Sequence, residues 1–261
     1  MSWAGDDANA QADAPMRRLL SCYFAAPPGR GVRAGDDTWK RLAGVLRFSA
    51  ARHCLGWSVE VVEIQSPVHS RLTYHYVANT HKLDYWTEAV LSASPNDEIV
   101  LVDADTMVLR NLDEAWSRSF DLAYTRKDSP NPAHLPLNAG VIFLRVSPKV
   151  KRFMSVWRDA NHRMLEDPNH HGPWARKYGG INQSALGMLL ETGRVELDLA
   201  ELQCQEWNCE DSSWGRYEPG RTRIVHVKSA LRRSVLDPRV SALRLRHLAN
   251  LWRQFEREAA A

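Results

Sequence analysis

Short apolar runs alternate with helical patterns over the first hundred residues of the chain. The run LLSCYF (19–24), the alternating stretch WSVEVVEI (57–64) and the run EIVLV (98–102) predict strands. Apolar side chains at helical spacing predict helices over 37–53 and 79–93. Strands that alternate with helices indicate a parallel sheet with right-handed crossovers. The pattern therefore predicts an α/β fold with a mainly parallel central sheet flanked by helices.

The pattern is less regular in the second half. Four stretches there have the apolar spacing of strands: DLAYT (121–125), VIFLRV (141–146), VELDL (195–199) and RIVHVK (223–228). Four have the spacing or start of helices: NLDEAW (111–116), the segment opened by Ser147 and Pro148, NQSALGMLLETG (182–193) and the basic amphipathic tail (238–260). A Pro-rich loop fills 128–138. The tail is predicted to pack on the domain, with binding to a membrane surface as the alternative.

Composition and length favour one globular unit. The chain has 261 residues, of which 44% are hydrophobic and 25% charged, close to the average for globular proteins. Residues 1–15 are small, polar and acidic and are predicted to be a disordered lead-in. Because no repeat or linker interrupts the rest, we predict a single domain over 16–261 that ends in the amphipathic helix.

Charge and cysteine usage narrow the function classes. The net charge of +3, from 34 basic and 31 acidic residues, argues against nucleic acid as a partner. No apolar stretch approaches the roughly 20 residues of a membrane span, and the start of the chain lacks the pattern of a signal peptide, so we expect a cytoplasmic protein. The four cysteines form no CxxC pair, and free thiols are favoured over a Cys204–Cys209 disulfide.

Two aspartates follow the run EIVLV directly. Asp103 and Asp105 share a face if the backbone stays extended, and two close carboxylates repel unless something neutralises them. Mg²⁺ and Mn²⁺ do so, and they often bridge carboxylates to substrate phosphates. Ligands of parallel sheets lie beyond the carboxyl ends of the strands. The pair therefore indicates a divalent-metal site, with two solvated aspartates in a turn as the alternative.

The string DADTMV (103–108) is compatible with two kinds of enzyme. It resembles the DxDxT motif of haloacid-dehalogenase-like phosphatases, in which Asp103 would be the nucleophile and Asp105 the acid and base. However, that motif normally opens its fold, whereas here about three elements precede it. No later GDxxxD motif completes such a site.

Several motifs in one order resemble a second family, the GT-A-fold glycosyltransferases that use nucleotide-diphospho-sugars, including glycogenin-like enzymes. They are KLDYWTEAVLSASPNDEIVLVDADTMVLRNLDEAW (82–116), LNAGVIFLR (137–145), GGINQSALGMLL (179–190) and IVHVKS (224–229). The resemblance implies a GT-A-like fold with a Rossmann-like nucleotide-binding half. It also implies a metal-dependent glycosyltransferase that takes a nucleotide-diphosphate sugar as donor and a saccharide, protein or small molecule as acceptor.

The resemblance assigns roles to individual residues. Mn²⁺ or Mg²⁺ would be held by Asp103, Asp105 and His226. Donor contacts would come from Tyr23, Lys82, Asp103, Ala104, Asn138 and Lys228. Gln183 and Asn182 would lie at the reaction centre, as the counterparts of a "DQ" pair in the family.

Two departures separate the chain from the glycogenin-like pattern. Asn182 replaces the usual acid, which removes a charged contact to sugar hydroxyls. The pattern HxxGxxKPW is not continued after His226, where the chain reads HVKSALRR. Trp207 and Asn208 resemble the "WN" that follows the DQ helix in relatives. This loop would help to form the acceptor side, with a purely structural Trp207 as the alternative.

Retention or inversion of the sugar configuration depends on whether a carboxylate can act as general base. An inverting enzyme needs a carboxylate base for the acceptor hydroxyl, and the sequence does not rank the candidates Asp128, Glu206, Glu210 and Asp211. The resemblance favours retention. A catalytically silent nucleotide-sugar-binding protein on the same scaffold stays open, alongside the phosphatase.

Overall fold

A six-stranded sheet forms the centre of the molecule in the computed structural model, which describes residues 15–24, 37–65, 74–127, 137–194, 196–237, 239 and 245–261. The strands are β1 (Arg17–Phe24), β2 (Ser58–Ile64), β3 (Glu98–Val102), β4 (Thr106–Val108), β5 (Leu122–Arg126), β6 (Leu137–Arg145), β7 (Leu199–Gln203) and β8 (Ile224–His226). The predicted lead-in before residue 15, most of the Pro-rich loop and the start of the tail lie outside the described residues.

Helices cover both faces of this sheet. They are α1 (Thr38–His53), α2 (Tyr74–Ser92), α3 (Pro148–Glu166), α4 (Pro168–Tyr178), α5 (Ile181–Glu191), α6 (Cys204–Trp207), α7 (Ser229–Leu236) and α8 (Arg246–Ala260). NLDEAW forms a 3₁₀ turn over Asp113–Ser117. Ser147 caps α3 by accepting a hydrogen bond from the Val150 N–H at 3.3 Å, as its sequence predicts.

The strand order is β2-β1-β3-β6-β5-β7. The β1–β2, β1–β3 and β5–β7 pairs are parallel, whereas β6 runs antiparallel to β3 and β5. The α/β fold with a mainly parallel sheet is therefore confirmed. A separate two-stranded sheet joins β4 to β8 and places Thr106 opposite His226, which brings the end of the aspartate motif beside the last strand.

The strand β3 explains why the aspartate motif follows a continuous apolar run. All five of its residues are buried, with Ile99 and Leu101 facing the core under α2, α3 and α5 and Val100 and Val102 facing the core under α1. A strand covered on both faces has no polar alternation. Burying each of these side chains stabilises the fold by about 1.5–3 kcal/mol, so the strand gives the motif a rigid base.

The C-terminal helix packs on the first helix. α8 buries Trp252 and Phe255, and the Phe255 ring lies 5.9 Å from the Phe48 ring of α1. The predicted tail helix is thus confirmed over Arg246–Ala260, and its apolar face is used within the chain.

Several elements differ from the sequence predictions, among them β4, α6 and α7, for which the sequence pattern predicts no separate element. The strand prediction for 195–199 is wrong, because β7 begins at Leu199 and runs to Gln203. Because only Leu202 of this edge strand is deeply buried, the sequence of β7 lacks the clear alternation of apolar and polar residues that predicts a strand. The helix α4 was not predicted, since Gly172 and Pro173 interrupt its pattern.

The four cysteines are buried free thiols, as the sequence favours. Within the described ranges, no helix has both the length and the apolar character needed to cross a membrane.

Candidate functional site

A cleft of about 520 Å³ opens beyond the carboxyl ends of β1 and β3, where a sheet of this kind binds ligands. All predicted site residues except Asn182 line it: Tyr23, Lys82, Asp103, Ala104, Asp105, Asn138, Gln183, His226 and Lys228. The cleft also contains residues that were not predicted as site residues, among them Trp39, Lys127, Tyr178 and Arg232.

Asp103, Asp105 and His226 converge in this cleft and are called the acid cluster below. One ligand atom from each lies within 4.8 Å of those of the other two. The His226 Nε2 atom is 3.1 Å from Asp105 Oδ1 and 3.7 Å from Asp103 Oδ2. The turn is held by the Thr106 hydroxyl, which donates to the Asp103 carbonyl at 2.8 Å. The Val227 N–H ties β8 to the turn by donating to the Asp105 carbonyl at 2.6 Å.

Gly140 of β6 lets the sheet backbone approach the acid cluster. The Asp103 N–H donates to the Gly140 carbonyl at 2.9 Å. A Cβ at position 140 would lie 2.7 Å from His226 Cε1 and 2.8 Å from Asp103 Oδ2, closer than van der Waals contact permits. Only glycine therefore fits at this point of the NAG segment while the cluster keeps its geometry.

Two cations balance the carboxylates. Lys82 of α2 pairs with Asp103, and Arg232 of α7 pairs with Asp105. Burial alone raises the pKa of the Asp105 carboxyl, but His226 and Arg232 outweigh it and hold that pKa well below its usual range. Asp105 is therefore a buried carboxylate that stays ionised. Arg232 also lies over the Trp39 ring, 4.8 Å from its centroid.

Asn208 holds the other ring nitrogen of His226. The His226 Nδ1 atom is 3.1 Å from Asn208 Oδ1, and Asn208 is fully buried. Its amide nitrogen donates to the Thr125 hydroxyl at 3.0 Å. The "WN" predicted for the acceptor side therefore contacts the acid cluster through its asparagine, while Trp207 packs in the core against Phe143.

A second charged group lies at the same cleft and is called the lysine anchor below: Glu210, Lys127 and Lys228. The fully buried Glu210 carboxylate pairs with Lys228 and lies 3.4 Å from the Lys127 Nζ atom, and both lysines line the cleft. Burial raises the pKa of Glu210, but Lys228, Ser212 and Lys127 together lower it to about 2. The pKa of Lys228 is raised, since Glu210 and Asp211 outweigh its desolvation.

The amides at the cleft are held by the backbone. The Asn138 Oδ1 atom accepts from the Gly140 N–H at 2.8 Å. Gln183 Oε1 accepts from the Ala139 N–H at 3.1 Å, and Gln183 Nε2 donates to the Tyr178 carbonyl. An amide has two N–H donors and two acceptor sites, so Gln183 keeps one of each for a ligand.

Asn182 differs from its neighbour. Its side chain is buried and its Oδ1 atom lies 3.0 Å from the Gln183 N–H, which donates to it. Its carbonyl accepts from the Trp157 indole at 2.9 Å. The structure therefore brings Gln183 to the cleft and places Asn182 behind it.

The remaining acids that the sequence offered as bases are engaged elsewhere. Glu206 pairs with Arg221 and Arg223, and Asp211 accepts from the Ser229 hydroxyl at 3.1 Å. Asp128 lies outside the described residues. Among the described residues of the cleft lining, Asp103 and Asp105 are the only carboxylates.

Arg232 is not among the predicted site residues, although the pattern HxxGxxKPW includes its position. In HxxGxxKPW counted from His226, Ser229 stands at the glycine and Arg232 at the lysine. Ser229 has a φ of 49°, a left-handed conformation that glycine adopts without strain. Ser229 therefore has a conformation suited to glycine at the glycine position of the pattern, and Arg232 pairs with Asp105 at its lysine position.

Three comparisons with known proteins bear on this site. Residues 94–241, more than half of the chain, match the family described as nucleotide-diphospho-sugar transferase. A search of curated protein sequences finds no match. The matched segment contains the whole acid cluster and lysine anchor, and it confirms the family resemblance of the sequence motifs.

Solved structures share the fold at low sequence identity. A glycosyltransferase involved in the glycosylation of the major capsid of PBCV-1 has 12% identity and a TM-score of 0.56, over 82% of this chain and 95% of that one. The glycosyltransferase GlyE of Streptococcus pneumoniae TIGR4 has 13% identity and a TM-score of 0.57, over 93% of this chain and 60% of that one. These matches confirm the fold.

Proposed function

Since the chain belongs to the nucleotide-diphospho-sugar transferase family, we propose that it is a metal-dependent glycosyltransferase that transfers a sugar with retention of configuration. The observation that carries this proposal is the convergence of Asp103, Asp105 and His226 in a cleft whose described lining also contains four Lys and Arg side chains. Donor and acceptor would meet in that cleft.

The acid cluster fits a divalent metal ion such as Mn²⁺ or Mg²⁺. Two carboxylates and one imidazole offer the oxygen and nitrogen atoms that these ions accept, and the absence of a Cβ at Gly140 leaves the cluster its space. A bound divalent ion would stabilise the negative charge that builds on the diphosphate as the bond to the sugar breaks. Asp103 and Asp105 would hold it from one side of the cleft.

Cations of the chain itself support a diphosphate beside this metal site. Lys228 and Lys127 line the cleft with their ammonium groups fixed by Glu210. Arg232 and Lys82 neutralise the carboxylates. A preorganised set of charges aimed at the leaving group lowers the barrier because it needs no reorganisation during the reaction.

The cleft also offers groups that would contact the sugar and the base. Asn138 and Gln183 present amide groups at the cleft, and such groups bind sugar hydroxyls. Asn182 acts through Gln183, whose backbone N–H it accepts. Tyr23, at the carboxyl end of β1, lines the cleft with its hydroxyl 2.9 Å from Glu63 Oε2, so that its ring is held for contact with the base.

The carboxylates at the cleft support retention of the sugar configuration. Inversion needs a carboxylate that is free to take the acceptor proton. Both carboxylates of the described lining belong to the acid cluster, and Glu210 is sealed by its lysines with a pKa near 2. Neither group is available as a general base.

Release of nucleoside diphosphate tests the proposal. The protein is incubated with UDP- and GDP-sugars and Mn²⁺, and free UDP or GDP is measured with and without EDTA. We expect slow donor hydrolysis with one donor class, dependent on metal, faster with a sugar acceptor, and a product whose anomeric configuration by NMR equals that of the donor.

Other outcomes would separate the alternatives. Metal-dependent donor binding with neither hydrolysis nor transfer to any acceptor tried would favour a silent binding protein. Phosphate release from a phosphomonoester, abolished by Asp103→Asn, would favour the phosphatase. An inverted product would contradict retention alone.

A further inference from the structure

The hydrogen bonds behind His226 determine which ring nitrogen of this residue carries a proton. The chain of partners runs from the Asn138 carbonyl through Thr125 and Asn208 to the imidazole. Thr125 and Asn208 are fully buried and Asn138 is nearly so, so water does not replace the partners of the first two. Each bond in such a chain restricts the donor and acceptor choices of the next.

The donor and acceptor roles along these hydrogen bonds are set at the first member, a carbonyl group that can only accept. The Thr125 hydroxyl lies 3.2 Å from the Asn138 carbonyl oxygen and therefore donates its one hydrogen there. Its oxygen can then only accept from Asn208, whose side chain lies 3.0 Å away. The amide of Asn208 must therefore turn its NH₂ group towards Thr125.

This orientation leaves the Asn208 oxygen facing the histidine. Asn208 Oδ1 is 3.1 Å from His226 Nδ1, and a carbonyl oxygen accepts, so Nδ1 must carry the proton. In a neutral imidazole the other nitrogen then has a free lone pair. That nitrogen, Nε2, is the one that faces Asp103 and Asp105. It lies 3.1 Å from Asp105 Oδ1 and donates to this carboxylate, which can only accept. A metal ion would take the place of that donated proton, while Nδ1 keeps its own.

From this geometry we propose that Asn208 is a positioning residue that fixes the His226 tautomer, so that Nε2 is presented as a metal ligand. The proposal rests on the metal site of the proposed function. Histidine ligands generally donate their second N–H to a carbonyl or carboxylate, and loss of that partner typically costs 10- to 100-fold in metal affinity. Here the partner is a side-chain amide, itself locked by Thr125.

The first test measures Mn²⁺ affinity by titration calorimetry on the full chain. We expect Asn208→Leu to weaken Mn²⁺ binding roughly 10- to 100-fold and Asn208→Asp to restore most of it, because a carboxylate still accepts from Nδ1. Thr125→Val should weaken binding less, since Asn208 remains but can turn over. Asn161→Leu is the matched control: Asn161 is a fully buried asparagine outside the cleft, bonded to Thr80, and its loss should leave the affinity unchanged.

The second test reads the tautomer on the wild-type chain and uses a variant only to assign the signal. Long-range ¹⁵N–¹H spectra of histidine-labelled protein, with the ring assigned through His226→Gln, should show a proton on Nδ1 of His226. This readout stands even if Asn208→Leu fails to fold.

The outcomes distinguish the two proposals. The role of Asn208 would be overturned if the wild-type protein and the Asn208→Leu variant bound Mn²⁺ with equal affinity. It would also be overturned if the His226 ring were protonated only on Nε2. Either result would leave the proposed metal site standing. Wild-type protein that binds no Mn²⁺ would overturn both.

Discussion

The acid cluster and the lysine anchor share one cleft but collect opposite charge. In the acid cluster, Asp103, Asp105 and His226 turn acceptor atoms towards a common point. In the lysine anchor, the buried Glu210 carboxylate is surrounded by donors and leaves the ammonium groups of Lys127 and Lys228 at the cleft. Both contain a buried carboxylate with a lowered pKa. Burial alone therefore does not distinguish the two groups. They differ in the number of acceptor atoms that face one another, which is larger in the acid cluster.

Under the proposed function, the acid cluster would hold a cation and the lysine anchor an anion. A divalent ion and a diphosphate are such a pair, and each strengthens the binding of the other through their mutual attraction. Variants of one group should therefore act on metal binding, and variants of the other on donor binding.

The largest effect is expected from the acid cluster. Asp105→Asn removes a buried ionised ligand, and sugar transfer should fall roughly 10³-fold, equivalent to about 4 kcal/mol of transition-state stabilisation. Steady-state assays of nucleoside diphosphate release measure this. Asp97→Asn is the control, because the Asp97 carboxylate is also buried but accepts from the backbone N–H groups of Met16 and Ser94, away from the cleft. Equal losses in the two variants would point to general destabilisation.

A smaller and different effect is expected from the lysine anchor. Glu210→Gln frees two ammonium groups from their fixed positions, so kcat/KM for the donor should fall roughly tenfold while Mn²⁺ affinity stays unchanged. Donor kinetics and metal titration on the same preparation test this contrast.

Glu98→Gln supplies the matched control for that variant. Glu98 is a buried carboxylate between Arg17 and Arg145, outside the cleft. If Glu210→Gln weakened the binding of Mn²⁺ as much as the use of the donor, the division of the cleft into two charge regions would be wrong.

Acid should weaken the lysine anchor in a defined range. The pKa of Glu210 is lowered from 4.5 to about 2 in the folded chain, so Glu210 stabilises the fold fully above pH 4.5. That contribution is lost as the pH falls from 4.5 towards 2, because the unfolded chain takes up the proton first. Urea unfolding at several pH values should show a shallower fall for Glu210→Gln than for wild type. Parallel curves would contradict this assignment.

The smallest effect concerns the turn between Lys228 of the lysine anchor and Arg232, the partner of Asp105. Ser229 lies between Lys228 and Arg232 with a φ of 49°, a conformation that costs about 1 kcal/mol outside glycine. Ser229→Gly loses the exposed bond to Asp211 and should raise stability by roughly 0.5 kcal/mol, with activity unchanged. Thermal unfolding measures it, and a lower Tm would show that the Asp211 bond dominates.

The regular half of the fold was predictable from local pattern. The strand predicted over 98–102 is β3 with the same bounds, and the helix predicted over 37–53 is α1 within one residue. There, helical spacing and a strand buried on both faces leave strong local patterns. The helix α4 and the start of β7 escaped, because Gly172 and Pro173 and a single deeply buried leucine leave weak ones.

The candidate site was predictable where a motif names its residues. Asp103, Asp105 and His226 were predicted, and the structure brings them together. The partners of this cluster, Arg232 and Asn208, lie about 130 and 100 residues along the chain from the aspartates. Their contacts depend on the pairing of β4 with β8, which no local pattern records. Glu210 is a candidate base by residue type alone, and the structure instead buries it between Lys127 and Lys228.

The most direct test of the account titrates UDP or GDP into the full chain by calorimetry, in saturating Mn²⁺ and in EDTA. If the acid cluster and the lysine anchor together clamp a metal-bound diphosphate, one nucleotide should bind at least roughly tenfold more tightly with Mn²⁺, and Asp105→Asn should abolish that gain. Equal affinity in Mn²⁺ and EDTA, or no binding of either nucleotide in saturating Mn²⁺, would contradict the account.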